Sequence, residues 1–243
     1  MSSEHGSARI ALVTGASRGI GRAVAVALAG AGAHVLLLGR QVGALEETDD
    51  LVRRAGGQAT IIPLNLTQAE KVDGLGPTLY QRFGRLDVLI ANAAILGTLG
   101  PLAHTTDETW TRTIETNLTA NWRLVRTLDP LLRRSAAGRV VFVTSGAADG
   151  DTAYWGPYAA SKAALDALAR TYAAEVADSA VRVTLVNPGP IATQMRAKAF
   201  PGEDPASLPA PEDIAPLFVE LSAPTSQAHG ITIEARDWLA RRR

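Results

Sequence analysis

The feature that most constrains how this chain can fold is a series of short apolar runs with no polar alternation. Residues 10–13 read Ile-Ala-Leu-Val, 35–38 Val-Leu-Leu-Leu, 88–91 Val-Leu-Ile-Ala and 140–143 Val-Val-Phe-Val; 59–63 and 181–186 are similar, and 231–233 is a short seventh. A strand with one wet face alternates every second residue, so unbroken runs predict strands buried on both faces, as in parallel sheets. Helical periodicity fills 20–31, 42–54 and 68–83 between them. Strand–helix–strand repetition predicts right-handed crossovers and a doubly wound parallel α/β sheet. Ligands of such sheets bind beyond the carboxyl ends of the strands, where the strand order reverses. No Gly- or Ser-rich linker divides the 243 residues, so one domain over 1–243 is expected. Within it, 194–213 is expected to be a substrate lid, with the proline-rich part from Ala199 to Asp213 forming a loop.

Directly after the first run comes Thr14-Gly15-Ala16-Ser17-Arg18-Gly19-Ile20-Gly21. Glycine permits a tight turn and close backbone approach, and a helix N-terminus offers free N–H groups to an anion. Glycines alone would fit a plain turn; between strand and helix they point to a phosphate-binding loop. Two arginines bear on which dinucleotide. Arg18 lies in the loop, and Arg40 follows the second strand, where an acid would otherwise hold ribose hydroxyls. A guanidinium there pairs with a 2′-phosphate, so NADP(H) is expected over NAD(H), which the fold also admits.

A second constellation lies downstream. Tyr158 and Lys162 are one helical turn apart, and Ser145 ends the fifth apolar run. Asn117 sits on the helix before that run. Carbonyl reduction needs a proton donor and alcohol oxidation a base. A free tyrosine, with a pKa of about 10, becomes effective near neutrality only if a cation such as Lys162 favours its phenolate. Ser145 can hydrogen-bond the substrate oxygen as charge develops there, and Lys162 can hold a nicotinamide ribose.

Composition removes other classes. The chain has 24 basic and 24 acidic residues, a formal net charge of +0, and no cysteine. Charge balance speaks against nucleic-acid and membrane-surface partners, and the Arg241, Arg242, Arg243 run reads as a solvated tail. Absence of cysteine excludes disulfides, thiolate metal sites and a cysteine nucleophile. His5, His34, His104 and His229 show no ligand spacing, so no metal is expected. The start lacks a signal-peptide pattern and no run is long enough for a membrane span, so a cytoplasmic protein is expected.

Together these residues resemble the short-chain dehydrogenases/reductases, which have a Rossmann-type fold, over nearly the whole chain. The matching pieces are the 14–21 loop, Asn92-Ala93-Ala94, Asn117, Ser145, Tyr158-x-x-x-Lys162 and Asn187-Pro188-Gly189-Pro190-Ile191-Ala192-Thr193. The 195–205 stretch is similar to a bacterial branch, the YciK-like oxidoreductases. The resemblance implies NAD(P)(H) and an Asn117, Ser145, Tyr158, Lys162 tetrad in which Asn117 holds a water of the proton relay. It also implies that Ile191 and Thr193 contact the nicotinamide end. Three departures stand out. Ala94 replaces a glycine, and Asn65, followed by Leu66, replaces an aspartate beside the adenine. Glu234-Ala235-Arg236-Asp237-Trp238 replaces a glycine-rich end, which puts strand-to-strand tetramer contacts in doubt.

The expected activity is hydride transfer between a nicotinamide and a small carbonyl or alcohol. A non-catalytic NADP(H)-binding regulatory module is the alternative, and 243 residues leave little room for an epimerase's added substrate domain. Ile95, Leu96, Ala147, Tyr154, Trp155, Ile191 and Met195 are expected to line an apolar pocket. Ala160, Ala164, Ala167, Thr171 and Ala174 recur on one helical face, with Leu165, Leu168, Tyr172 and Val176 turned to the sheet. That small face, together with the resemblance, predicts a homodimer or homotetramer.

Overall fold

In the computed structural model, which describes residues 8–242, strands and helices alternate as the apolar runs require. Residues 1–7, with the polar start and His5, and Arg243 of the basic tail lie outside the described residues. The strands are β1 (Ile10–Thr14), β2 (His34–Gly39), β3 (Gln58–Pro63), β4 (Val88–Ala91), β5 (Arg139–Val143), β6 (Arg182–Asn187) and β7 (Thr232–Glu234). All their pairings are parallel, in the order β3-β2-β1-β4-β5-β6-β7. The order reverses between β1 and β4.

Period two along each strand explains the unbroken runs. Ile10 and Leu12 of β1 belong to one buried cluster and Ala11 and Val13 to the other. The second cluster is covered by α1 (Gly19–Gly30), α2 (Val42–Arg54) and, late in the chain, α9 (Pro211–Ser222) and α10 (Ala235–Ala240). The first is covered by α3 (Ala69–Asp73), α4 (Leu75–Phe83), α6 (Ala120–Leu132) and α7 (Gly156–Glu175). Both faces of the sheet are therefore dry. Among the described residues no helix is long and apolar enough to cross a membrane.

The expected single helix over 68–83 is broken in two at Gly74. Pro77 has no N–H for the Asp73 carbonyl four residues back. The Thr127 hydroxyl of α6 donates to that carbonyl instead, at 2.9 Å, and accepts from the Gly76 N–H at 3.1 Å. The expected loop from Ala199 to Asp213 is also more ordered than its prolines imply. α8 (Gln194–Ala199) precedes it, Pro205–Ser207 forms a 3-10 turn, and Pro211 opens α9, since proline suits a helix's first turn. α5 (Asp107–Ile114) runs through a π turn, Glu115–Thr119, into α6.

The reversal point is held by Thr14. Its Oγ1 accepts from the Asn92 and Ala93 N–H groups, both at 3.0 Å, and donates to the Ile90 carbonyl at 3.3 Å. The Asn92 Nδ2 returns a bond to the Thr14 carbonyl at 2.9 Å. Thr14→Val keeps the shape but strands the Ala93 N–H and leaves the Asn92 N–H only the Ile90 carbonyl, at 3.1 Å, so it should lower unfolding free energy by about 2 kcal/mol. Thr14→Ser should recover most of the loss. Urea denaturation of the three proteins checks this, and equal midpoints would refute it.

Candidate active site

The glycine loop follows β1 directly. Gly15 and Gly19 have positive φ, +67° and +55°, which an L side chain rarely adopts. Gly21 is required for a different reason: a Cβ there would lie 2.3 Å from the Gly15 carbonyl oxygen and 2.5 Å from Asn92 Nδ2. The α1 N-terminus begins after extended Arg18, with no side chain capping it and no acid in its first turn. Its free N–H groups and dipole end suit an anion. The loop expected to bind phosphate therefore has the backbone of a tight turn at the start of a helix.

This loop opens onto a cleft of ≈ 1300 Å³ beyond the carboxyl ends of the strands. Every predicted cofactor residue lines it except Gly21, which is buried beneath Gly15. The cleft is large enough for a dinucleotide, and the loop, Arg40, Asn65, Leu66, Pro188, Ile191 and Thr193 all line it, with Thr193 close beside Gly19. Arg18 donates to Gln194 Oε1 of α8 at 2.8 Å, whereas Arg40 is exposed at the β2 end and has no ion-pair partner among the described residues.

Ser145 follows β5 in extended conformation, with its Oγ accepting from the Ala147 N–H at 3.2 Å. Tyr158 and Lys162 lie on the first turns of α7, 7% and 2% exposed, and both line the cleft with Ser145. Burial pushes the Tyr158 phenol up from its ordinary value, against the opposing pull of a Ser145 hydrogen bond. In the protein by itself burial thus outweighs any lowering of the phenol by Lys162. Lys162 Nζ donates to the Val143 carbonyl at 2.7 Å and stands 5.7 Å from the Tyr158 ring centre. Burial brings the lysine itself down to about 8, with Asp166 opposing that fall. A buried hydroxyl donor, a second hydroxyl and a cation on one wall can hold a carbonyl oxygen and deliver a proton to it.

The family model for short chain dehydrogenases matches residues 9–204. This chain is a short-chain dehydrogenase. It is 38% identical over 232 residues to YciK, an uncharacterized oxidoreductase of Escherichia coli, covering 94% of this chain and 92% of that one. A short chain dehydrogenase from Salmonella enterica superposes with a TM-score of 0.90 at 36% identity, covering 94% of this chain and 96% of its own. One from Escherichia coli CFT073, complexed with NADPH, does so with a TM-score of 0.88 at 37% identity, covering 94% and 96%. Like these relatives the protein is an oxidoreductase.

Asn117 of this short-chain dehydrogenase does not face the cleft. It is fully buried in the π turn, its Oδ1 accepting from the Ile95 N–H at 2.8 Å. Its Nδ2 donates to the Ile95 carbonyl at 2.9 Å and to Ser161 Oγ at 3.0 Å, and its carbonyl accepts from Asn121 at 2.8 Å. Its side chain is committed as a strut between the post-β4 segment and α7. Asn65 Oδ1 likewise accepts from the Thr67 N–H at 3.2 Å, an Asx turn that uses part of its acceptor capacity. Ala94 lines the cleft without left-handed backbone. The atypical end turns from β7 into α10, which seats Trp238 against α9, its indole donating to Glu220 at 2.8 Å.

Of the expected pocket wall, Ile95, Leu96, Trp155, Ile191 and Met195 line the cleft. Ala147 and Tyr154 do not. Ala147 is buried against Tyr158 and Ala159, and Tyr154 is 62% exposed with φ +73°. Unforeseen were Thr109, Thr113 and Thr116, which line the cleft from α5 and its π turn. Their spacing of four and three was the available signal.

Lys162 also sets a pH-dependent stability. Its value falls from the ordinary 10.5 to about 8 in the fold. Below pH 8 both folded and unfolded chains carry the charge, and its burial cost is fully present. As pH rises from 8 to 10.5 only the unfolded chain keeps the proton, so the folded state gains relative stability. At 1.36 kcal/mol per pH unit, the gap is on the order of 3 kcal/mol. Lys162→Met should raise the melting temperature at pH 7 and flatten the rise toward pH 10. A melting temperature equal to or below wild type at pH 7 would contradict this.

Proposed function

We propose that this short-chain dehydrogenase transfers hydride between NADP(H) and the carbonyl or secondary alcohol of a small apolar or aromatic substrate, with Tyr158 as acid/base. The carrying observation is that Ser145, Tyr158 and Lys162 line the same cleft as the glycine loop and the uncapped α1 N-terminus. The bound nicotinamide would supply or accept the hydride. A buried phenol with a raised pKa is protonated at neutral pH, the state that donates to a carbonyl oxygen during reduction. Ser145 holds that oxygen as charge develops, and Lys162 lies within the same buried wall to hold the ribose and offset the charge. Trp155, Met195 and Leu96, packed around Tyr158, favour an apolar or aromatic carbonyl over a sugar phosphate. An NADP(H)-binding regulatory module would need neither Ser145 beside Tyr158 nor a costly buried lysine.

The 2′-phosphate preference rests mainly on Arg40, which has no competing carboxylate, with Arg18 second because it already bonds Gln194. A bidentate guanidinium–phosphate pair supports roughly a tenfold or greater preference for NADPH over NADH, lost in Arg40→Ala. Tyr158→Phe should cut turnover roughly 10²–10⁴-fold while the NADPH Kd stays near wild type. Fluorescence titration with both cofactors and an NADPH-consumption screen over ketones, aldehydes and quinones test both points. Equal wild-type affinities sink the cofactor preference, and undiminished Tyr158→Phe turnover sinks the acid/base assignment.

The reading extends to assembly and closure. The small face of α7 is open in the single chain, with Ala160, Ala167, Thr171 and Ala174 exposed and Ala164 half-buried, while Leu165, Tyr172 and Val176 face the core. Homodimerisation through it should be abolished by Ala164→Arg with Ala167→Glu, read as solution mass; a monomeric wild type at micromolar concentration would end it. The 194–213 segment borders the cleft and serves as the lid, and a cysteine-free chain suits a reducing, cytoplasmic setting.

A further inference from the structure

The end of β5 is stitched to the cleft-lining face of α7 by two side chains on successive helical turns. Lys162 Nζ donates to the Val143 carbonyl at 2.7 Å. One turn on, Asp166 Oδ1 accepts the hydroxyl of Thr144. Thr144 is 3% exposed and Asp166 8%. These bonds fall on the two residues immediately before Ser145, so they fix the backbone that aims its hydroxyl. The second oxygen of Asp166 meets Arg170 at 3.4 Å, and Arg170 also reaches Thr232 of β7 at 3.3 Å. The Arg170 side chain is 53% exposed, so that pair is screened and contributes little. A buried carboxylate is costly unless it answers a buried charge or satisfies a buried donor. Asp166 does both.

We propose that Asp166 is a positioning residue of the reaction centre: through Thr144 it braces the strand end bearing Ser145, and it sets a buried negative charge one turn from Lys162. The inference rests on the roles given above to Ser145, Tyr158 and Lys162. The groups around the lysine leave Asp166 as its counter-charge. Tyr158 on α7 is a neutral phenol, Val143 and Thr144 of β5 offer uncharged oxygens, and Thr232 of β7 is neutral. Glu234 at the end of β7 is bonded to Asn187 of β6 at 2.8 Å, with its carboxyl pushed up chiefly by burial. Asp166 is the charge that opposes the effect of burial on the lysine.

The chain makes a substrate-free test practical, because it has three lysines, Lys71, Lys162 and Lys198. Lys71 and Lys198 are exposed, so the ε-carbon resonance of ¹³C-lysine at Lys162 stands apart by its low titration midpoint. Asp166→Asn keeps an acceptor for Thr144 and removes only the charge. Its Lys162 midpoint should fall by about one further pH unit, and Asp166→Glu should restore it. Thr144→Val keeps the charge and removes the brace. It should leave the midpoint in place, lower kcat about tenfold on the fastest carbonyl of the screen at unchanged NADPH Kd, and be rescued by Thr144→Ser. Should Asp166→Asn not fold, the smaller Asp166→Ser is read the same way. A midpoint equal to wild type without the carboxylate overturns the charge role, whatever happens to melting temperature. An unchanged kcat in Thr144→Val overturns the brace. If Tyr158→Phe keeps full turnover, the acid/base reading fails separately, and the lysine midpoint still decides the part played by Asp166.

Discussion

The crevice exists because β1 and β4 are neighbours whose following segments leave in opposite directions, and Thr14 holds that divergence at a defined width. One hydroxyl accepts two backbone N–H groups of the post-β4 segment and donates back to Ile90, while Asn92 closes the circuit to the Thr14 carbonyl. The glycine loop is seated on this knot. Gly21 packs against Gly15 and Asn92 so closely that a methyl has no room, so the α1 N-terminus is fixed relative to β4 as well as β1. Asn117 continues the chain of struts, gripping Ile95 just beyond Asn92 and bonding Ser161 on α7. Loop, post-β4 segment and α7 are thereby one polar scaffold beneath the cleft, and small displacements in it reach every wall.

That scaffold sets the electrostatics. Tyr158, Lys162 and Asp166 lie on one helix and are all buried, which no sequence does for stability alone. Burial acts on them in opposite senses: it raises the phenol and lowers the ammonium, drawing two groups of ordinarily similar pKa apart. The result at neutral pH is a protonated hydroxyl beside a cation, with a carboxylate one turn behind. An arrangement that holds a proton ready and stabilises negative charge on a bound oxygen follows from solvent exclusion as much as from residue identity.

Most of this architecture can be read from residues. The strands were visible because dryness on both faces suppresses alternation, and α2 coincides with the expected 42–54. That Gly15 to Gly21 and Ser145, Tyr158 and Lys162 meet at one cleft was visible because the proposed chemistry calls for those types at those spacings. What stayed hidden depends on partners distant in sequence. The break at Gly74 needs Thr127, fifty residues on, to take the carbonyl that Pro77 abandons. That Ile95 and Ser161 claim the amide of Asn117 depends on the fold and not on its neighbours in sequence. The direction of the Tyr158 shift is a property of enclosure, which spacing does not report. Ala147 sits in a single short 3-10 turn, Gly146–Asp149, and Tyr154 in a loop turn, both too short for a period to give a facing.

The cleft is lined by two kinds of structure. Strand termini and the loop locked to Asn92 owe their geometry to the sheet. The stretch after β4, the approach to α7, and α8 lie outside the sheet, with α8 reaching the loop through Gln194 and Arg18. These are tied by side chains. Arg196 grips Glu203 in a two-bond ion pair at 2.6 and 2.7 Å and lies over Phe200, whose ring tilts toward Trp155, itself edge-on to Tyr158. Tyr154, in left-handed backbone, accepts from the Gly100 N–H at 2.9 Å and so links two of those segments at the rim. Substitution in these segments changes the shape offered to a carbonyl without touching a sheet hydrogen bond. The aromatic stack joins the buried face of α7 through the edge-on contact of Trp155 with Tyr158, so the shape of this region and the setting of the phenol are coupled at that ring.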